Sequence, residues 1–195
     1  MPESGDGQGS TPVADISGLI PAHIRLKSEL DEWEAENILL AVRKYLYKKK
    51  TFRFDETSIK KLHKDMFGAT WKWAGQFRKA ELNMGAPPAM IAVEIKKLVD
   101  DAEYWEESKA FGVLTRSVMI HHRLVKVHAF LNGNGRHARL LSDIILHNAG
   151  HAMPSWPNAE MVEKTEVREK YIRALKKADS GDYGPLTGFT KGLIG

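Results

Sequence analysis

The chain has 195 residues, 43% of them hydrophobic and 28% charged, which suits one domain with a sizeable core and excludes a wholly disordered, collagen-like or coiled-coil chain. Lys and Arg number 29 against 25 Asp and Glu, so the formal charge of +4 permits an anionic ligand without demanding nucleic acid. The absence of cysteine removes disulfides, thiolate-bound zinc, iron–sulfur clusters and a cysteine nucleophile together, and fits a reducing cytoplasm.

Residues 1–18 read as a flexible tail, being polar, acidic and rich in Gly, Ser and Pro, with neither the basic nor the apolar region of a secretory signal. Residues 19–195 are left as a single domain. A helix is expected over about 28–47, capped by Ser28 or Asp31, with Leu30, Trp33, Leu40 and Tyr45 on its buried stripe. Glu29, Glu32, Glu34 and Glu36 favour its N-terminal end. Arg43, Lys44, Lys48, Lys49 and Lys50 close it as a solvated helix end rather than a nucleic-acid patch. The longest aliphatic run, 38–42, is far short of the roughly 20 residues of a membrane span, so no membrane association is expected.

A second helix opens near Asp55 and carries Ile59, Leu62, Met66 and Phe67 as far as Gly68. Then Lys79, Glu81 and Asn83 alternate with Ala80, Leu82 and Met84, the period of a half-buried strand, and the turn from Gly85 through Pro88 points to a short β-hairpin. Helical spacing resumes over about 91–105 and again from Val113, where Leu114, Val118, His121, Val125 and His128 share an inward face. After a break at 132–135, Arg136, Arg139 and Asp143 lie on one face of the next helix, and Leu140, Ile144 and His147 on a neighbouring one. Gly150 and Pro154 stop it, and helices over about 159–178 and 185–193 complete a mainly α chain with one small hairpin.

The densest chemistry lies between His128 and Arg139. Gly133 and Gly135 permit positive φ and close backbone approach, and the helix that begins there adds unpaired N–H groups and a positive dipole end. Arg136 and Arg139 can place two guanidinium groups near one anion, which suits a polyphosphate. His128 stands beside this turn as a base with a neutral fraction at pH 7. Together these residues point to attack by a hydroxyl on a phosphate. The Asn-Gly pairs at 132–135 could also form a hairpin, but helical periodicity flanks them on both sides. Phe130 is expected in the core, and His121 is read as a buried structural histidine.

At these residues the sequence resembles the Fic/Doc family, whose motif runs His-Pro-Phe-x-Asp/Glu-Gly-Asn-Gly-Arg-x-x-Arg. The match falls on His128, Phe130, Gly133, Asn134, Gly135, Arg136 and Arg139, and extends through 73–78 and 171–182. It is most similar to the branch called mobile mystery protein B. The resemblance implies a Fic fold, a helical bundle with a β-hairpin flap beside the active-site loop, and transfer of AMP from ATP to a hydroxyl of a target protein. It makes His128 the general base and places the α-phosphate on Asn134 and the Gly133 and Gly135 backbone. Arg136 and Arg139 then hold the β- and γ-phosphates, and 79–91 is the flap on which a target segment docks. Magnesium or manganese is the implied metal, and a helix-turn-helix regulator the implied partner.

Two positions depart from the motif. Ala129 replaces Pro, and Asn132 replaces the acid that binds Mg²⁺ in the family, which leaves Asn132 the metal candidate with an amide where a carboxylate is expected. Many relatives carry an inhibitory helix with Ser/Thr-x-x-x-Glu-Gly/Asn. Glu36-Asn37 fits its end while Glu32 occupies the Ser/Thr position, so the expectation is a pair between Glu36 and Arg139. Other readings stay open. One is a nucleotide-binding regulatory or partner-binding module with weak catalysis, and another is transfer of a different phosphate-containing group. A third is zinc held by His147 and His151 at i, i+4.

Overall fold

The computed structural model describes residues 16–47, 52–157 and 165–195. Lys48, Lys49 and Lys50, residues 1–15 of the expected tail, and 159–164 of the expected sixth helix lie outside the described residues.

Helix α1 spans Lys27–Val42 and continues as a π turn over Arg43–Tyr47. Its cap is neither Ser28 nor Asp31. The Glu29 carboxylate accepts from the backbone N–H groups of Arg25 (2.8 Å) and Leu26 (3.0 Å), while Asp31 lies within the helix and pairs with Lys27 at 2.5 Å. The inward stripe also differs from the expected one, because Glu34, Ala41 and Tyr45 are buried and Leu40 is 60% exposed. A charged residue at the centre of the stripe hid its true phase. Helix α2, Glu56–Phe67, starts at Asp55, whose carboxylate accepts from Ser58 N at 2.7 Å, and ends at Gly68. It buries Ile59, Leu62, Met66 and Phe67 together with His63.

Helices α3 (Ile91–Ser108), α4 (Val113–Val127) and α5 (Asn134–Asn148) pack in series, and α2 closes against α3 and α5. Ile59, Leu62, Ile95, Leu98, Leu141 and Ile144 are fully buried where these helices meet. Each such side chain contributes about 1.5–3 kcal/mol by leaving water. Helices α6 (Glu166–Ala178) and α7 (Gly184–Lys191) pack on each other, and a second cluster of Tyr171, Ala174, Leu175 and Leu186 meets α4 through Val118. Helix α4 therefore serves both cores and carries the histidine at its end. Among the described residues no helix is long and apolar enough to cross a membrane.

The expected hairpin is absent. Residues 79–85 form an exposed loop without strand pairing, and the only β contact among the described residues is an isolated bridge between Leu19 and Trp71. Alternation alone could not make a ribbon here, since a two-stranded hairpin is marginal without a surface to lean on and neither face of this one is buried.

Candidate active site

Helix α4 ends at His128, which takes left-handed backbone angles (φ 51°, ψ 55°), and α5 begins five residues after Ala129 with Gly133 as its cap (φ 76°). The positive φ suits glycine, and a Cβ at Gly133 would stand 2.6 Å from the Phe67 ring. The first bond of α5 runs from His137 N to the Gly133 carbonyl, so the N–H groups of Asn134, Gly135 and Arg136 precede the helical ladder. They are the donors that a helix N-terminus offers an anion, and the site geometry around them keeps them at one end of α5. A Cβ on Gly135 would meet only Arg139 Nη1, at 3.6 Å, so the packing does not require glycine there. Its hydrogen keeps the space beside that guanidinium clear.

The loop is braced from within. The buried Asn134 side chain accepts from Phe130 N (2.9 Å) and donates to the Phe130 carbonyl (2.8 Å), so its amide closes the turn. Phe130 stacks on His63 with ring centroids 3.8 Å apart. His63 Nδ1 accepts from Gly75 N at 3.0 Å, which leaves Nε2–H to donate to the Asn132 carbonyl, also 3.0 Å away. His137 adds a contact from its Nε2 to the Ile59 carbonyl at 3.0 Å. Burial holds both rings neutral, drawing His63 down to about 3 and His137 to about 4. Neither histidine emerged from the sequence, because each lacks a motif and is recognisable only by what surrounds it.

His128 itself is half-buried. Burial lowers its pKa, against the Val125 carbonyl that accepts from the ring, and Arg78 lowers it further. Burial and Arg78 thus favour the neutral imidazole, the form able to accept a proton.

The two arginines, three apart on α5, have different surroundings. Arg136 pairs with Glu34 at 2.5 Å and lies over the Phe67 ring, 4.8 Å from its centroid. Glu34 is 4% exposed, and its other carboxylate oxygen accepts from Trp71 Nε1 at 2.6 Å. Glu36, the residue expected to face an arginine, is exposed. Arg139 is 7% exposed, stands over Trp156 and hydrogen-bonds the Tyr171 hydroxyl, and burial lowers its pKa. Tyr171 is tied in turn to His121 Nε2 at 2.7 Å, while both Asp143 oxygens accept from Trp156 Nε1 at 3.0 and 3.1 Å. Burial pushes the Asp143 carboxyl up to about 7 against the Trp156 bond that lowers it. His121, at about 3, is the neutral structural histidine expected.

The residues present do not build a divalent-metal site of their own. Asn132 supplies no charge, and its amide oxygen accepts from Gly133 N at 2.7 Å. Among the described residues no group of three His, Cys, Asp or Glu could hold a metal. The zinc reading fails on geometry as well, since α5 ends at Asn148 and leaves His147 and His151 exposed and off a common helical face.

Comparison with known proteins gives this arrangement a context. Residues 53–146 match the Fic/DOC family. The protein adenylyltransferase Fic of Drosophila grimshawi is 29% identical over 118 residues, 59% of this chain and 23% of that protein. That of Aedes aegypti is 30% identical over 118 residues, 59% of this chain and 22% of its own length. The chain thus matches less than a quarter of these curated relatives. Among solved structures, BepC of Bartonella tribocorum with bound AMPPNP superposes with a TM-score of 0.67 at 17% identity, covering 93% of this chain and 97% of that one. Fic-1 of C. elegans superposes at 0.69 with 24% identity, over 91% of this chain and 52% of that one. These likenesses establish the helical fold.

Proposed function

We propose that this chain, whose residues 53–146 match the Fic/DOC family, transfers AMP from ATP to a hydroxyl side chain of a protein, releasing pyrophosphate. The observation that carries this reading is the juxtaposition at one loop of a neutral histidine, His128, and a helix N-terminus flanked by two arginines. His128 takes the proton of the target hydroxyl as its oxygen bonds to the α-phosphorus. The bond from that phosphorus to the bridging oxygen breaks, and its electrons leave with pyrophosphate. The N–H groups of Asn134, Gly135 and Arg136 meet the α-phosphate charge, and Arg136 and Arg139 meet that of the departing phosphates. Residues 79–84 (Lys79, Ala80, Glu81, Leu82, Asn83 and Met84) are exposed and lead into Gly85, which packs against His128, and an extended target segment docks on them. Magnesium or manganese would arrive with the nucleotide, held by its phosphates rather than by a carboxylate of this loop.

Glu34 supports a second element of the reading, regulation at the same site. Its carboxylate neutralises Arg136, so ATP phosphates must displace it to bind in register. That contact equally favours the alternative of a nucleotide-responsive binding module with weak turnover. ATP labelled on the α- or the γ-phosphate, incubated with the purified protein and cell lysate, separates these. Covalent α-label lost about 10²–10⁴-fold in His128→Ala is the expected result. Label from the γ-phosphate alone would mean a kinase, and ATP binding without transfer would favour the module.

A further inference from the structure

Arg78 has no part in the reaction above, yet it is 3% exposed and saturated with contacts. Its Nε donates to the His128 carbonyl at 2.7 Å, Nη1 to the Ala80 carbonyl at 2.8 Å and Nη2 to the Ala86 carbonyl at 2.5 Å. Its backbone N–H donates to the Ala129 carbonyl at 2.9 Å, and Ala86 N donates to the Val127 carbonyl at 3.0 Å. A buried guanidinium is costly unless its N–H groups are met, and here they are met by both ends of one exposed loop and by the main chain of His128. The approach is close enough to need a glycine. Gly85 has φ +93°, and a Cβ there would lie 2.6 Å from His128 Cβ and 2.8 Å from Arg78 Nη2. The loop between these anchors has no ladder of its own to hold it.

We propose that Arg78 is a positioning residue that ties residues 80–86 to the backbone of His128, so that a target segment docked on the loop meets the base at a fixed distance. This rests on the reading that His128 is the base and that 79–84 receives the target. The planar fork reaches three carbonyls in three directions, which a lysine ammonium on a single stem cannot reproduce. Arg78 therefore acts on the transfer step through the target and the base, whereas ATP is held by α5 and its arginines.

The test uses the full chain with Arg78→Met and Arg78→Lys, and His128→Ala as control. Three quantities are read: amide exchange at Ala86, ATP affinity by calorimetry, and the rate of α-label transfer as a function of ATP concentration. The expected result is Ala86 exchange faster by about tenfold or more and kcat lower by about tenfold or more, with ATP affinity and KM for ATP within about twofold. Arg78→Lys should fall between wild type and Arg78→Met, and remains informative if the methionine variant does not fold. His128→Ala should abolish transfer with Ala86 still protected. Unchanged Ala86 exchange in both Arg78 variants would overturn the proposal, as would loss of ATP affinity in step with the rate. If the wild-type protein transfers no label, the catalytic reading fails by itself, and Ala86 exchange still decides whether the tie exists.

Discussion

The anion loop, residues 128–136, and the neighbouring loop, residues 79–87, meet at His128 but are built on opposite plans. The first is held from inside by the Asn134 amide, the Phe130–His63 stack and the positive φ of Gly133. The second is exposed from 79 to 85 and fastened at its base by Arg78 and by the partly buried Ala86. A site that must stabilise charge in a fixed place gains from donors that need no reorganisation, whereas a surface that receives a protein segment gains from unoccupied backbone groups. The contrast implies that perturbations of the first loop's internal bracing should cost both stability and nucleotide binding. Those of the second should cost target modification alone.

Acid should break the first loop most severely. His63, His121 and His137 have pKa values lowered by burial to about 3, 3 and 4 in the folded protein. Above the ordinary value near 6.5 neither state is protonated, and stability is at its full level. As pH falls below it the unfolded chain takes up protons that the folded one refuses, so each histidine should withdraw up to about 2 kcal/mol by pH 5. Asp143, raised by burial to about 7, gains stability as pH falls through the same window. The histidine share is therefore read as the difference between His63→Gln and wild type in chemical denaturation from pH 8 to 5, the variant losing less.

Glycine substitutions sharpen the comparison within the loop. Gly133→Ala should destabilise by about 1–3 kcal/mol from backbone strain, with further loss from the Phe67 overlap. Gly135→Ala should leave the Tm unchanged or raise it, since its Cβ meets ordinary space and alanine favours the helix. It should nonetheless weaken ATP binding, because that methyl enters the space beside Arg139. Equal ATP affinity in Gly135→Ala and wild type would remove the phosphate site from this end of α5.

Smaller effects are expected where α1 meets the loop. Glu34→Gln keeps an acceptor for Trp71 Nε1 but removes the charge that pairs with Arg136, so ATP affinity should rise by about tenfold or less. Glu36→Gln, on an exposed residue, should leave it unchanged, and the reverse order in calorimetry would restore Glu36 as the inhibitory residue. Least of all, Leu82→Ala with Met84→Ala should change stability by no more than about 0.5 kcal/mol, measured by thermal melting.

Much of the fold was legible because periodicity and caps coincide. Asp55 and Gly68 bracket α2, and the glycine break after His128 separates α4 from α5. The misplaced features share a cause, which is tertiary contact overriding local pattern. The alternation from Lys79 to Met84 lacks a buried face to use it, and Leu40 lost its expected burial to a stripe centred on Glu34. Motif spacing put His128, Gly133 and the two arginines at one loop, where the structure has them. His63, Arg78, Tyr171 and Glu34 act through contacts between distant segments, so their types and spacing carried no role until the helices were packed.

The structure of this protein bound to a non-hydrolysable ATP analogue tests the central claim most directly. The account predicts the α-phosphate on the N–H groups of Asn134, Gly135 and Arg136, the outer phosphates on Arg136 and Arg139 with Glu34 displaced, and His128 facing the α-phosphorus from the side of residues 79–84. A nucleotide bound away from the start of α5, or one whose γ-phosphate rather than α-phosphate faces His128, would contradict it.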